Sequence, residues 1–242
     1  MKFVFFSDIH ANLPALEAFF EDVEQEAPDA IYCLGDLVGY NVWPNEVTHE
    51  IRKRAIPTIM GNHEEFLLKA EDKNPHSNKA LTRGMLDDNH SQFLKNLPRE
   101  MHLSFVMNES PFNVLLVHGS VKAINDYMVK DYPENEVLDM LTGRNAHIML
   151  CGHTHKPFHR TIMNRGVANH VINIGSVGKP KDGDPRLCYV ILEWDQENFD
   201  PSNPEAILVT FKRVRYDVEK AAKAIENSNF DAVFADALRQ AK

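Results

Sequence analysis

No apolar run in this chain approaches the ~18 residues that would span a bilayer, which argues against a membrane-embedded protein. A secretory leader is also missing. Met1 and Lys2 lead straight into four apolar residues, 3–6, far short of a signal core followed by a small-residue cleavage site. Cysteine is scarce and odd in number. Cys33, Cys151 and Cys188 lie inside apolar runs, which predicts buried free thiols in a reducing compartment and places the protein in the cytoplasm. Cys33 and Cys151 stand near polar motifs, where soft-metal ligation is conceivable, but a small buried hydrophobe is the simpler reading. Long basic tracts are absent too. With 26 Lys and Arg against 35 Asp and Glu, the formal charge is −9, and no stable nucleic-acid partner is expected. The sequence has no internal repeat, low-complexity tract or linker, so its 242 residues are read as one domain, 1–242.

The first third alternates strand and helix. Residues 3–7, 30–34 and 56–60 read as buried strands. Asn12 as N-cap and Pro14 in the first turn open an amphipathic helix over 13–27, which Pro28 ends, and Pro44 opens a second helix through 54. Such βα units imply a largely parallel sheet with helices on it. A polar stretch, 71–78, precedes a helical region over 79–97 that Gly84 interrupts. The second half is richer in strands, at 103–107, 114–117, 148–151, 159–163, 171–174, 188–193 and 207–214. A Pro-Ser-Asn-Pro turn at 201–204 and helices over 217–227 and 230–240 complete the pattern.

Five short motifs fall at the ends of apolar runs: Asp8-Ile9-His10, Gly35-Asp36, Gly61-Asn62-His63-Glu64, His118-Gly119 and Gly152-His153-Thr154-His155. Loops after parallel strands converge on one crevice, so these side chains can meet. Asp36 follows a glycine that lets the backbone bend, and a carboxylate can bridge two cations ~3.5–4 Å apart, the spacing that clamps a phosphoryl displacement. Carboxylate, amide and imidazole donors together suit Mn, Fe, Zn, Ni or Co better than Ca or Mg. Each motif alone has an ordinary explanation. All five in order are hard to explain without metal. The other histidines, at 49, 76, 90, 102, 147, 159 and 170, fit no motif and are read as surface or hydrogen-bonded residues.

The ordered set resembles the calcineurin-like metallophosphoesterase superfamily over about residues 1–195, leaving a C-terminal strand and helices at 206–240. The runs Gly35-Asp36-Leu37-Val38-Gly39-Tyr40 and Asn173-Ile174-Gly175-Ser176-Val177-Gly178-Lys179-Pro180 are similar to a compact prokaryotic phosphodiesterase/phosphatase branch of it. The resemblance implies a four-layer αββα sandwich, with two mixed β-sheets packed face to face beneath outer helices. It implies two divalent transition-metal ions, one held by Asp8, His10 and His155, the other by Asn62, His118 and His153, with Asp36 between them. It implies hydrolysis of small phosphoesters by a metal-bridging hydroxide, with His63 as general acid and Glu64 orienting or charge-stabilising it.

The chain departs from the pattern at Ala11, Asn41 and Ile174, where the family usually has glycine, glycine and proline. It also lacks two phosphate-clamping arginines: Gly39-Tyr40 and Met60 stand in their places. That argues against a phosphoprotein phosphatase. A nuclease of the same superfamily is disfavoured by the acidic balance. A catalytically silent binding scaffold is disfavoured because every ligand residue is present. Asn12 and Arg186 are further substrate-binding candidates, although the N-cap role already explains Asn12. The amides of residues 175–178 could face an anion or form a plain turn. Monoester against diester preference and oligomeric state stay open at this level.

Overall fold

The computed structural model describes residues 1–69 and 72–242. Two mixed sheets are stacked. One runs in the order β2(Ala30–Cys33), β1(Lys2–Phe6), β8(Leu187–Glu193), β9(Leu208–Val214). The other runs β3(Glu100–Met107), β4(Ser110–Val117), β5(Ile148–Cys151), β7(Val167–Asn173), β6(Phe158–Asn164). β1 is parallel to β2, β4 to β5 and β5 to β7, and the remaining pairs are antiparallel.

Side-chain alternation along each strand builds the layers. Phe3 and Phe5 of β1, with Val190 and Leu192 of β8, face Val114 and Leu116 of β4 and Ile148 and Leu150 of β5 across the inter-sheet core. The intervening residues Val4, Phe6, Tyr189 and Ile191 point outward onto helix α1(Leu13–Glu26), which presents Leu16, Phe19, Phe20 and Val23 at helical spacing. Rings of Phe6 and Phe19 stack 4.2 Å apart. On the far side, Leu115, Val117, Met149 and Cys151 meet Val137, Met140 and Leu141 of α6(Glu134–Gly143). The four-layer αββα arrangement expected from the sequence is the one observed.

Several local readings differ. The run 56–60 forms no strand beyond one bridge, between Cys33 and Thr58. Pro57 has no N–H to donate, and the amide of Met60 turns away to the Pro98 carbonyl, 2.7 Å off. On its other side β1 pairs antiparallel with β8, so that sheet is mixed, as the αββα expectation implied. The region 79–97 is two helices, α4(Asn78–Met85) and α5(Asp88–Lys95), divided where Asp87 caps the second by accepting from His90 N. Of the polar stretch 71–78, Glu71 lies outside the described residues. Two elements had no sequence signal: α6, and the single-turn α3(Asn62–Glu65), which runs into a 3₁₀ turn, Phe66–Leu68.

Helices α2(Pro44–Lys53), α7(Val218–Glu226) and α8(Val233–Gln240) complete the chain. The last two bury Ala221, Ala222, Ile225, Ala235 and Leu238 beside Trp43 and Leu81. Their end reaches the loop after β7: Ala241 O accepts from Gly183 N at 3.1 Å, and Lys242 O accepts from Lys179 Nζ at 3.0 Å. No described helix is long and apolar enough to cross a membrane.

Candidate metal centre

The loops after β1, β2, β4 and β5, with α3, bring ligand-type atoms to one buried point. Asp8, His10 and His155 form one group, Asp36, His118 and His153 form a second, and His10, Asp36 and His63 form a third that overlaps both. His10 Nε2 and His155 Nε2 are 3.1 Å apart, and His155 Nε2 lies 3.1 Å from Asp8 Oδ1. In the second group His118 Nε2 is 3.2 Å from Asp36 Oδ2 and 3.1 Å from Asn62 Oδ1. Asp36 Oδ2 is also 3.7 Å from His10 Nε2, so this one carboxylate stands between the groups.

The ring tautomers explain why these atoms need a cation. Nδ1 of His10 lies 3.1 Å from Val38 O, Nδ1 of His118 lies 2.7 Å from Leu34 O, and Nδ1 of His155 bonds to Lys179 O. A carbonyl only accepts, so each ring donates through Nδ1 and turns Nε2 inward. The Nε2 atoms of His10 and His155 then face each other and Asp8 Oδ1 as bare lone pairs. Asp8 Oδ1 and His153 Nε2 are buried with no hydrogen-bond partner among the described residues. An orphaned buried acceptor is costly, and a shared divalent ion removes that cost. The donor set fits a divalent transition metal.

The backbone pays a conformational penalty to aim these groups. Asp8, His10, Asp36, His153 and His155 all sit at positive φ, between 51° and 62°. Asp and His visit this region more readily than most residues, yet each such residue still costs on the order of 1–3 kcal/mol. Ala11 adds a further left-handed residue, φ 54°, where the family favours glycine. Asn41, the second departure, donates from Nδ2 to the His10 carbonyl at 2.9 Å and so braces the ligand loop. Ile174 is buried in the inter-sheet core.

Glu64 is placed differently from the sequence expectation. Its carboxylate accepts from the backbone amides of Asp36, Leu37 and Gly61 at 2.8 Å and of Val38 at 3.3 Å. No hydrogen bond joins it to the His63 ring, whose Nδ1 has no partner among the described residues. It clamps two ligand loops together, and the loops are close enough that a Cβ on Gly35 would lie 2.4 Å from Gly61 N. The available signal was its position three residues after the helix-opening Gly61, where a glutamate reaches back to the first amides. Burial, aided by the charge of Asp36, raises its pKa to about 7 against the opposing amides.

His63 is itself 7% exposed, its ring 4.7 Å from that of His10 and 4.8 Å from that of Tyr40, and burial lowers its pKa to about 3. The two substrate candidates are not free. Asn12 caps α1 through Oδ1 and donates from Nδ2 to Gly178 O at 2.8 Å. Arg186 is exposed and forks onto Asp184, 2.6 Å away, because Asp184-Pro185 turns it back on its own loop. Amides of Val177 and Gly178 donate to the Ser7 and Asp8 carbonyls, which leaves them unavailable to an anion. Sequence reasoning missed Lys181. Its amide donates to His155 O at 3.3 Å, burial lowers the pKa of its ammonium against the opposing charges of Asp8 and Asp36, and it has no ion-pair partner among the described residues.

Residues 1–197 match the calcineurin-like phosphoesterase superfamily domain, and the chain belongs to that family of metal-dependent phosphoesterases. An uncharacterized protein of Methanocaldococcus jannaschii is 30% identical over 237 residues, covering 90% of this chain and 89% of that protein. Phosphodiesterase YfcE of Escherichia coli K12 is 28% identical over 209 residues, covering 86% and 96% of the two chains. A metallophosphoesterase from Sphaerobacter thermophilus superposes with TM-score 0.78 at 27% identity, over 100% of this chain and 99% of the other.

The electrostatics of the metal-free site generate a prediction. Burial disfavours the His118 cation, but Asp36 and Asp8 outweigh it and carry its pKa up to about 10. Below that pH the ring holds a proton on Nε2 that a metal bound there would have to displace, so rising pH should strengthen metal uptake. Binding is expected to release a proton from His118, with log K rising by about one per pH unit between neutrality and pH 9. Calorimetry of Mn binding in two buffers of different ionisation enthalpy counts the proton. PH-independent affinity over that range would refute the assignment.

Proposed function

We propose that this chain hydrolyses small phosphoesters, diesters included, with two divalent transition-metal ions, of Mn, Fe, Zn, Ni or Co, at the site described. The observation that carries the reading is the cluster of overlapping ligand groups in which the Asp36 carboxylate lies near both His118 and His10. In this reading Asp8, His10 and His155 would hold one ion and Asn62, His118 and His153 the other, with Asp36 available to both. Such ions supply Lewis-acid charge next to phosphorus and lower the pKa of a water molecule.

The chain's own residues do the rest. The carbonyls of Val38, Leu34 and Lys179 keep three imidazoles in the ligating tautomer. Glu64 keeps the Asp36 and Asn62 loops in register. His63 shares a candidate ligand group with His10 and Asp36, and in this reading it stays off the metals and protonates the departing oxygen. Burial favours its neutral form, so its proton is supported by the negative charge that the phosphoester brings in. Lys181 is the cation best placed to meet a phosphate oxygen. The relation to a phosphodiesterase and the absence of the two clamping arginines support turnover of diesters. The formal charge of −9 disfavours large polyanions such as duplex nucleic acid, and three buried free cysteines support a cytoplasmic setting. The C-terminal strand and helices are read as part of one domain with residues 1–195, since β9 pairs with β8 along its whole length.

Three measurements test this reading. Asp36→Asn is expected to lower occupancy at both positions, because an amide offers only one acceptor oxygen, whereas His10→Ala and His118→Ala each empty mainly one. Elemental analysis showing two full sites in Asp36→Asn would refute the bridging role. His63→Ala is expected to keep its metals and lose ~10²–10⁴-fold in turnover of alkyl esters, with a smaller loss for nitrophenyl esters, whose leaving group needs no proton. Equal losses on both would remove the general-acid role. On matched nitrophenyl mono- and diesters, kcat/KM for the diester should equal or exceed that for the monoester. A monoester preference above tenfold, or ready nucleic-acid cleavage, would contradict the substrate reading.

A further inference from the structure

The sequence contains 14 Phe, 6 Tyr and 2 Trp, and among the described residues only one of these rings is left mostly in solvent. It is Tyr127, 65% exposed. It stands at the rim of the metal centre, its ring 4.8 Å from that of His153 at 71°. Apart from His153, no aromatic or cationic group packs on it among the described residues. Tyr40, which flanks the other side of the centre at 4.9 Å from His10 and 4.8 Å from His63, is by contrast covered by Phe234 at 5.1 Å and Lys179 Nζ at 5.1 Å. One tyrosine is packed into the wall. The other offers an open face.

The loop that carries Tyr127 is built to hold it still. It folds back over Gly119 so tightly that a Cβ there would lie 2.7 Å from Ile124 O and 2.8 Å from both Ala123 O and Asp126 N. Asp126, just before Tyr127, accepts through its carboxylate from Ser120 Oγ and, at 3.0 Å, from Tyr132 OH. Met128, just after it, is 1% exposed and anchored in the outer core with Val137 and Met140. A large ring fixed between two anchored neighbours and held out in water gains nothing from folding by itself. Its exposed face is apolar surface open to a planar ligand, carried on a backbone that its neighbours already hold in place.

We propose that Tyr127 is a stacking platform for a flat aromatic or heteroaromatic ester arm of the substrate, which makes it a specificity-determining residue. The inference rests on the phosphoester reading of the centre. His63 lies on the His10 and Tyr40 side, and Tyr127 lies on the His153 side. The arm that stacks is therefore the one retained on phosphorus, not the one His63 releases. The substrate class this selects is a phosphoester carrying a nucleobase-like or aryl group.

Two readouts on the manganese-loaded protein test it. The first is calorimetric binding of thymidine 5′-monophosphate against methyl phosphate, in the wild type, Tyr127→Ala and Tyr127→Phe. The second is kcat/KM for thymidine 5′-(4-nitrophenyl phosphate) against methyl 4-nitrophenyl phosphate, which share a leaving group and differ only in the retained arm. In both, the wild type should favour the thymidine compound by about tenfold, within the range that one base stacked on one ring contributes. Tyr127→Ala should bring that ratio close to one, and Tyr127→Phe, which keeps the ring, should preserve it. A wild-type ratio near one, an unchanged ratio in Tyr127→Ala, or an equal fall in Tyr127→Phe would overturn the platform. Failure of the wild type to turn over either diester would count against the phosphoester reading, while the binding ratio would still decide the role of Tyr127.

Discussion

Asp8 and Asp36 are buried beside imidazoles whose outer nitrogens are committed to backbone carbonyls, so in the neutral rings the inner nitrogens have only lone pairs to present. Those lone pairs converge with the oxygens of buried carboxylates. Like-signed atoms at 3.1 Å repel unless a proton or a metal ion lies among them. In the metal-free protein, protons partly serve. Burial opposes the Asp8 anion, yet the adjacent histidines hold its pKa well below the usual carboxylate range, and Asp36 and Asp8 keep His118 protonated. Metal binding exchanges that arrangement for a better one. Function and stability meet at the same atoms.

Holding such a cluster requires a frame that resists relaxation. Five of the candidate ligand residues have left-handed backbones, which they keep because the turns around them are tied elsewhere. Glu64 is the clearest tie. A fully buried carboxylate taking four amide donors is an N3 capping group put to a longer-range use, since three of its donors belong to the loop after β2. Asn41 secures His10 from a different direction. The C-terminal helices contribute through Lys179 and Gly183, whose loop also accepts the His155 proton.

Much of the fold was legible because alternation is strict. Residues such as Val4 and Phe5, or Met149 and Leu150, are both apolar yet face opposite layers, and continuous apolar strands of that kind point to sheets covered on both sides. The reading broke where local pattern and backbone chemistry diverged. Residues 56–60 look like a strand, but Pro57 cannot join a ladder. Helix α6 buries only three residues, Val137, Met140 and Leu141, too short a stripe to separate from a loop. Arg186 looked available because its sequence neighbours do not reveal that Asp184 folds back to claim it.

The sequence alone determined the chemistry of the centre. Aspartate, asparagine and histidine at those positions set the donor types, and the glycines at 35 and 61 permit the close loop approach. What it left undetermined was who touches whom. That Asp36 lies between the two groups, that Glu64 serves backbone amides and not His63, and that Tyr127 stands open while Tyr40 is covered are all decided by tertiary packing. Each depends on the separation between loops distant in sequence, as in the 145 residues that divide His10 from His155. Local propensity acts over a few residues, and a hydrogen bond or a metal contact is settled by distances of a fraction of an ångström that only the stacked sheets impose.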